Sequence, residues 1–270
     1  QVIITFSKFE NKQNKNFIMT SNTTFTSWIT CPKPNPKAKI RLFCFPYSGG
    51  SATIFCTWVN DFPDSIELCP IEIPGRGRQI KLSPYTKIEP LIQATATNII
   101  PYLNKPYAFF GYSMGALISF ELTRLLRSDY NSHPLHLFIA AYHAPQLPSE
   151  TSLMYQLTDT DFLNEIYQLN GTPKVVQENP ELIKFFLPVI RADFTVLDTY
   201  VYSHQSPLNC PITAFGGLQD SRVSYNALSA WEKQTTAPFL LHEIDGNHFF
   251  INTAKNTLLN LVIQSLQSYI

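Results

Sequence analysis

The stretch FFGYSMGALISFEL (residues 109–122) places two phenylalanines before a glycine, one serine after it, and then an apolar run of helical character. Gly111, Ser113 and Gly115 fit the Gly-x-Ser-x-Gly nucleophile elbow, where a strand turns sharply into a helix and holds a serine hydroxyl outward at the corner. Small residues at 111 and 115 let the backbone pass close to that corner. The pattern is weak by itself, and its context is what strengthens it. YAFF (107–110) supplies a strand, and MGALISFELTRLL (114–126) supplies a helix whose charges, Glu121 and Arg124, share one side.

Outward from this corner, short apolar runs alternate with helix-length segments: IRLFCF (40–45), IELCPIEI (66–73), YAFFGY (107–112), LHLFIAAY (135–142), ITAFGG (212–217) and FLLHEI (239–244). Near-continuous apolar strands separated by helices imply an α/β fold with a mostly parallel, doubly wound sheet covered on both faces. The rhythm breaks over residues 146–207. There TDTDFLNEIYQLNG (158–171) offers Thr158 or Asp159 as a helix cap and Gly171 as a stop, and NPELIKFFLPVIRADFTVLDTYVY (179–202) begins with Asn179 as cap and Pro180 in the first turn. Pro188 should kink or split that second helix. These helices form either a lid or ordinary crossovers. Residues 1–39, rich in Asn, Thr, Lys, Ser and Pro, read as a loosely ordered arm before one domain at 40–270, with Met19 as the natural start.

A serine hydroxyl is a poor nucleophile at neutral pH and needs a base, usually histidine, that is itself oriented by a carboxylate. In this fold the chain order is serine, acid, histidine. Among the late histidines, His242 lies inside the strand-like FLLHEI and His204 in a polar loop, whereas His248, in DGNHFF, follows the last strand. Asp220 follows two glycines at the end of ITAFGG, where doubly wound sheets place their sites. Asp193 and Asp198 fall in the helical insertion, and Asp245 is too close to His248 in sequence to approach its ring from behind. The expected relay is Ser113, Asp220 and His248.

Acyl transfer also requires donors for the developing oxyanion. One is the backbone N–H of Met114. The other belongs to FPYSGGSA (45–52), where Tyr47 or Ser48 can present an amide and Gly49 and Gly50 allow the tight return into a helix.

Composition narrows the partners. Lys and Arg balance Asp and Glu at 20 each, so no global field draws nucleic acid or an anionic membrane. No run approaches the roughly 20 apolar residues of a membrane span, and no secretory leader is evident. The five cysteines, odd in number and without Cys-x-x-Cys spacing, read as mostly buried, reduced thiols in a cytoplasmic protein with no metal site.

Six stretches together resemble the stand-alone type II thioesterases that accompany nonribosomal peptide and polyketide synthases. They are FCFPYSGGSATIF, PIEIPGRGRQ, FFGYSMGALISFEL, LPVIRADFTVLDTY, CPITAFGGLQDSRVS and IDGNHFFI, in family order from about residue 40 to 265. The resemblance implies an α/β-hydrolase with a helical lid that hydrolyses misprimed or stalled acyl groups from the phosphopantetheine arm of acyl or peptidyl carrier protein domains. It implies no cofactor of its own, the phosphopantetheine belonging to the partner, and a monomer. The family triad falls on Ser113, Asp220 and His248, and the oxyanion amides on Ser48 and Met114. Ser48 stands where the family more often shows alanine, a change that leaves a backbone donor intact. Tyr47, Phe185, Phe186 and Leu187 are candidate substrate-binding residues, with core packing equally open to the last three. Arg76 and Arg191 look like family markers, Arg191 pairing with Asp193 or Asp198. The competing readings are a generic serine esterase or lipase-like hydrolase, and a product-releasing thioesterase.

Overall fold

A strand covered on both faces has few positions free for polar side chains, and IRLFCF, YAFFGY and ITAFGG form strands buried at every residue. The computed structural model describes residues 26–148, 153–169, 171 and 174–270. The strands are β1 (Ile40–Phe45), β2 (Ile66–Pro70), β3 (Tyr107–Tyr112), β4 (Leu137–Ala140), β5 (Ile212–Gly217) and β6 (Phe239–Ile244). They form one parallel sheet in the order β2-β1-β3-β4-β5-β6. Two strands are shorter than their apolar runs: β2 stops at Pro70, and β4 spans only Leu137–Ala140. The charged exception inside β1, Arg41, sits opposite Glu67 of β2 and pairs with it at 2.5 Å, which keeps either charge from being buried alone.

The helices are α1 (Thr53–Cys56), α2 (Ile88–Ile99), α3 (Met114–Tyr130), α4 (Asp159–Gln168), α5 (Lys174–Gln177), α6 (Pro180–Asp198), α7 (Tyr225–Ser229), α8 (Phe250–Thr253) and α9 (Lys255–Leu266). Alternation along the strands divides the core in two. Phe43, Phe45, Phe109 and Ile139 pack in one layer with Leu91, Ile92, Leu117 and Phe120 of α2 and α3. Leu42, Cys44, Phe110 and Phe138 pack in the other with Phe55 of α1, Phe250 of α8 and Leu258 of α9. The chain steps from β1 to β2 on one side and then places β3 on the other, so the loops leaving β1 and β3 diverge and open a crevice at the carboxyl end of the sheet.

The insertion between β4 and β5 contains α4, α5 and α6 and a small core of Met154, Phe162, Ile166 and Phe194. Thr158 caps α4 by accepting from the Asp161 N–H, and Asn179 caps α6 by accepting from the N–H groups of Glu181 and Leu182, with Pro180 in the first turn. Helix α4 ends at Gln168, before the expected stop at Gly171. Pro188 does not split α6, which is continuous from Pro180 to Asp198. Both Pro188 and Lys184, whose carbonyl loses its i+4 donor, lie on the exposed side, where water can satisfy that oxygen.

Within residues 1–39, expected as a loose arm, the stretch around Trp28–Thr30 is packed against the domain. Trp28 and Ile29 are buried, Ile29 bridges Ile71, and the Thr30 and Glu72 N–H groups donate to the carbonyls of Pro70 and Trp28 at 2.9 and 2.8 Å. β2 is a sheet edge, and this segment covers it. Residues 1–25, Met19 included, lie outside the described residues.

Candidate active site

Ser113 sits between β3 and α3 at φ 52° and ψ −116°, a strained conformation for a residue with a Cβ. The two flanking glycines are sterically required. A Cβ on Gly111 would lie 2.2 Å from the Gly115 carbonyl oxygen, and one on Gly115 would lie 2.1 Å from that of Phe45. Between them the Ser113 N–H donates to Ala140 of β4 at 2.8 Å, which ties the corner to the neighbouring strand.

The acid and the base come from the loops after β5 and β6. His248 Nδ1 lies 2.8 Å from Asp220 Oδ2, and Nε2 lies 3.3 Å from Ser113 Oγ. An ionised carboxylate only accepts, so Nδ1 carries the proton and Nε2 is left to accept from the serine. The Asp220 side chain is fully buried, and its other oxygen accepts from the Arg222 N–H at 2.9 Å. The two loops run close together: a Cβ on Gly217 would meet the Gly246 carbonyl oxygen at 2.5 Å. Tyr112, the residue before the serine, fixes the histidine loop by donating to the His248 carbonyl at 2.7 Å and accepting from the Ile251 N–H at 3.3 Å. Burial pushes its phenol pKa well up, so it remains a donor.

Tyr47 to Gly50 form a turn closed by the Gly50 N–H on the Tyr47 carbonyl at 2.8 Å, with Gly49 at φ +74° in the third position. Positive φ there marks a type II turn, which sets the orientation of the peptides on either side of Ser48. Met114 is the first residue of α3, so its N–H is one of the helix donors without an intrahelical acceptor. Both Ser48 and Ser113 line a cavity of about 900 Å³. Tyr47 and Phe249 pack edge to face in its wall at 5.2 Å. Of the three phenylalanine and leucine candidates, only Phe186 lines the cavity. Phe185, on the outer side of α6, is 54% exposed, and Leu187 packs against the insertion's own small core.

Arg191 pairs with neither Asp193 nor Asp198, the partners expected for it. Arg191 pairs with Asp159 at 2.7 Å and lies over the Phe162 ring, while Asp193 makes a bidentate, buried pair with Arg76 at 2.6 Å for both bonds. Asp198 accepts from the Tyr155 N–H. Arg222 also lines the cavity, and burial lowers its pKa against the raising influence of Asp220, Glu165 and Asp198. Tyr112, Asp193, Arg222 and Phe249 line or brace the candidate site and were given no site role from sequence. All four fall inside the stretches quoted above, so the signal lay in those stretches rather than in any spacing.

The arrangement is that of a serine acyl hydrolase, and comparison with known proteins narrows it. A family model described as Thioesterase domain matches residues 40–266. The chain is 41% identical to "Linear gramicidin dehydrogenase LgrE" of Brevibacillus parabrevis, over 90% of this chain and 94% of that protein. It is likewise 41% identical to "Gramicidin S biosynthesis protein GrsT" of Aneurinibacillus migulanus, over 92% and 97%. Among solved structures, the type II thioesterase BorB from the borrelidin biosynthetic cluster superposes with a TM-score of 0.83 at 30% identity, covering 91% of this chain and all of that one. The match spans the sheet, the insertion and every residue of the relay, and the chain belongs to the thioesterase family.

Proposed function

We propose that the chain is a type II thioesterase that hydrolyses acyl groups from the phosphopantetheine arm of carrier domains in a nonribosomal peptide or polyketide synthase. The observation that carries this reading is the Ser113–His248–Asp220 relay opening into a cavity of about 900 Å³. The relatives add the setting, since gramicidin S biosynthesis and the borrelidin cluster appear in their names.

His248 Nε2 takes the Ser113 proton as Oγ attacks the thioester carbonyl, and Asp220 stabilises the imidazolium. The tetrahedral oxyanion points at the N–H groups of Met114 and Ser48. A thiol with a pKa of about 8.5 leaves far more readily than an amine, so expulsion asks little of the general acid. The departing thiolate takes the proton from His248; water then enters, gives a proton to the neutral His248 as it attacks the acyl-serine carbonyl, and His248 returns that proton to Ser113 Oγ as the acid is released. Tyr47 and Phe186 contact the acyl group. The chain requires no cofactor, the pantetheine being covalently part of its partner. A monomer in a reducing cytoplasm is the proposed state, in keeping with five free cysteines, three of them buried.

The test compares an acyl-carrier protein, the corresponding acyl-CoA and an aryl ester, with Ser113→Ala as control. The expected outcome is a preference for the carrier-bound thioester and a loss of about 10⁴-fold or more in kcat/KM in Ser113→Ala. Equal or better turnover of the aryl ester, with the carrier protein ignored, would leave a generic serine esterase.

A further inference from the structure

The pair between Arg76 and Asp193 is buried on both sides, with side chains 5% and 3% exposed. Burying two charges costs about what their attraction returns, so a pair of this kind is poorly explained by stability alone. Its neighbours suggest another purpose. Asp193 Oδ2 accepts from the Gly49 N–H at 2.7 Å, and Arg76 Nη1 donates to the Gly50 carbonyl at 3.1 Å as well as to Asp193. Gly49 and Gly50 are the last two residues of the turn that presents the Ser48 N–H. Helix α6 also presses on this turn, since a Cβ on Gly49 would lie 2.8 Å from Ile190 Cγ1.

We propose that Asp193 is a positioning residue for the oxyanion loop, and that Arg76 makes this possible by cancelling its charge. This rests on the Ser48 amide being an oxyanion donor, as in the mechanism above. By engaging the Gly49 N–H, Asp193 fixes the Ser48–Gly49 peptide and leaves the Ser48 N–H as the loop's donor toward the cavity. A carboxylate so close to a developing oxyanion would oppose it electrostatically if left unpaired. The bidentate guanidinium removes that opposition while supporting the next carbonyl. The acceptor comes from α6, so the inserted helix and the oxyanion loop move together, and the C-terminal half of α6 is a fixed part of the site.

Single substitutions would strand a buried charge, so the test uses two charge-balanced double variants. Arg76→Met with Asp193→Asn keeps an acceptor for the Gly49 N–H, and Arg76→Met with Asp193→Leu removes it. The expected result is a kcat about 10- to 100-fold lower in the leucine variant than in the asparagine variant, with KM within about twofold. Binding of a trifluoromethyl ketone, which forms a tetrahedral adduct on the serine, should weaken in the same ratio. The Gly49 amide, followed by hydrogen exchange in NMR spectra, should be protected in the wild type and asparagine variant and unprotected in the leucine variant. Equal kcat and equal Gly49 protection in the two doubles would overturn the proposal, as would a difference confined to KM. Kinetics on an aryl ester and the Gly49 readout do not need a carrier protein, so failure of the thioesterase reading would show separately, as an inert carrier thioester beside an active ester.

Discussion

In the sheet body, β1, β3, β4 and β5 are buried at every residue, while in the insertion the first nine residues of α6, from Pro180 to Pro188, include none that is buried. Below Pro188 the same helix changes character, with Val189, Ala192, Asp193, Phe194 and Val196 all buried. Ser113, Asp220 and His248, the proposed nucleophile, acid and base, leave the sheet body. The cavity wall opposite them, including Ile166, Phe186, Ile190 and Phe194, comes from the insertion. In the proposed reading, chemistry rests on the densely packed part, and of the wall that receives the acyl group only the half of α6 before Pro188, with Phe186, lacks buried side chains and has most room for rearrangement. The seam between them is the contact of Asp193 with the Gly49 loop.

The sharpest way to break this contrast is to make the same small change on both sides of it. In the body, a methyl group on Gly115 would meet the Phe45 carbonyl oxygen at 2.1 Å, so backbone must move. Gly115→Ala should cost about 3 kcal/mol or more in chemical denaturation and about 100-fold in kcat/KM, because the start of α3 carries the Met114 donor. In the insertion, a methyl group on Gly171 would meet the Phe249 ring at 2.0 Å, but a ring can swing aside. Gly171→Ala should leave kcat within about threefold and act mainly on KM, by reshaping the cavity. Similar losses in the two variants would mean that the insertion is as rigid a part of the machinery as the sheet.

A second prediction sharpens the description of the body as densely packed. His136 in the β4 region is buried, stacks on Phe138 at 4.2 Å and places Nε2 2.8 Å from Thr213 Oγ1, with Nδ1 unpartnered. Burial pulls its pKa from 6.5 down to about 4. The unfolded chain takes up a proton on this ring as pH falls through 6.5, but the folded one only near 4, so acid favours unfolding across that window. This group's contribution is complete above pH 6.5 and falls by up to about 3 kcal/mol by pH 4. Urea titrations at stepped pH should show this decline, flattened in His136→Gln. An unchanged slope in the variant would mean that water reaches the ring and the body is less tightly packed there than its burial implies.

The division between body and insertion also explains what was legible in sequence. Gly111 and Gly115 could be read because one steric requirement at a strand-to-helix corner admits few residues, and four strands matched their apolar runs to the residue, three of them because burial on both faces leaves a continuous signal. The approach of Asp220 and His248 to Ser113 was legible through chain order and strand ends. Trp28 and Ile29 were not, because an edge-covering segment has no periodicity of its own and its burial depends on where β2 falls in the sheet. Arg191 and Asp193 lie two residues apart, yet a two-residue step on a helix turns side chains to different sides, so one meets Asp159 and the other Arg76. No local spacing predicts a pair whose members, Arg76 and Asp193, stand 117 positions apart. Phe185, Phe186 and Leu187 were indistinguishable as letters, since only the docking of α6 decides which one faces the cavity.

That last distinction gives the smallest prediction. Phe185 and Phe186 are neighbours in α6 with ring centroids 5.1 Å apart, and only the second lines the cavity. Phe186→Ala removes part of the acyl wall, and for longer acyl chains KM should rise about 3- to 10-fold with kcat little changed, since contacts of this size are worth roughly 1 kcal/mol in discrimination. Acetyl thioesters, too short to use the wall, should be nearly indifferent. Phe185→Ala removes an exposed ring and should leave both substrates within about twofold when free thioesters are assayed. If Phe185→Ala instead weakened only carrier-bound substrates, the outer side of α6 would be a contact for the carrier domain. The half of the helix without buried residues would then owe its apolar surface to a partner rather than to the cavity beneath it.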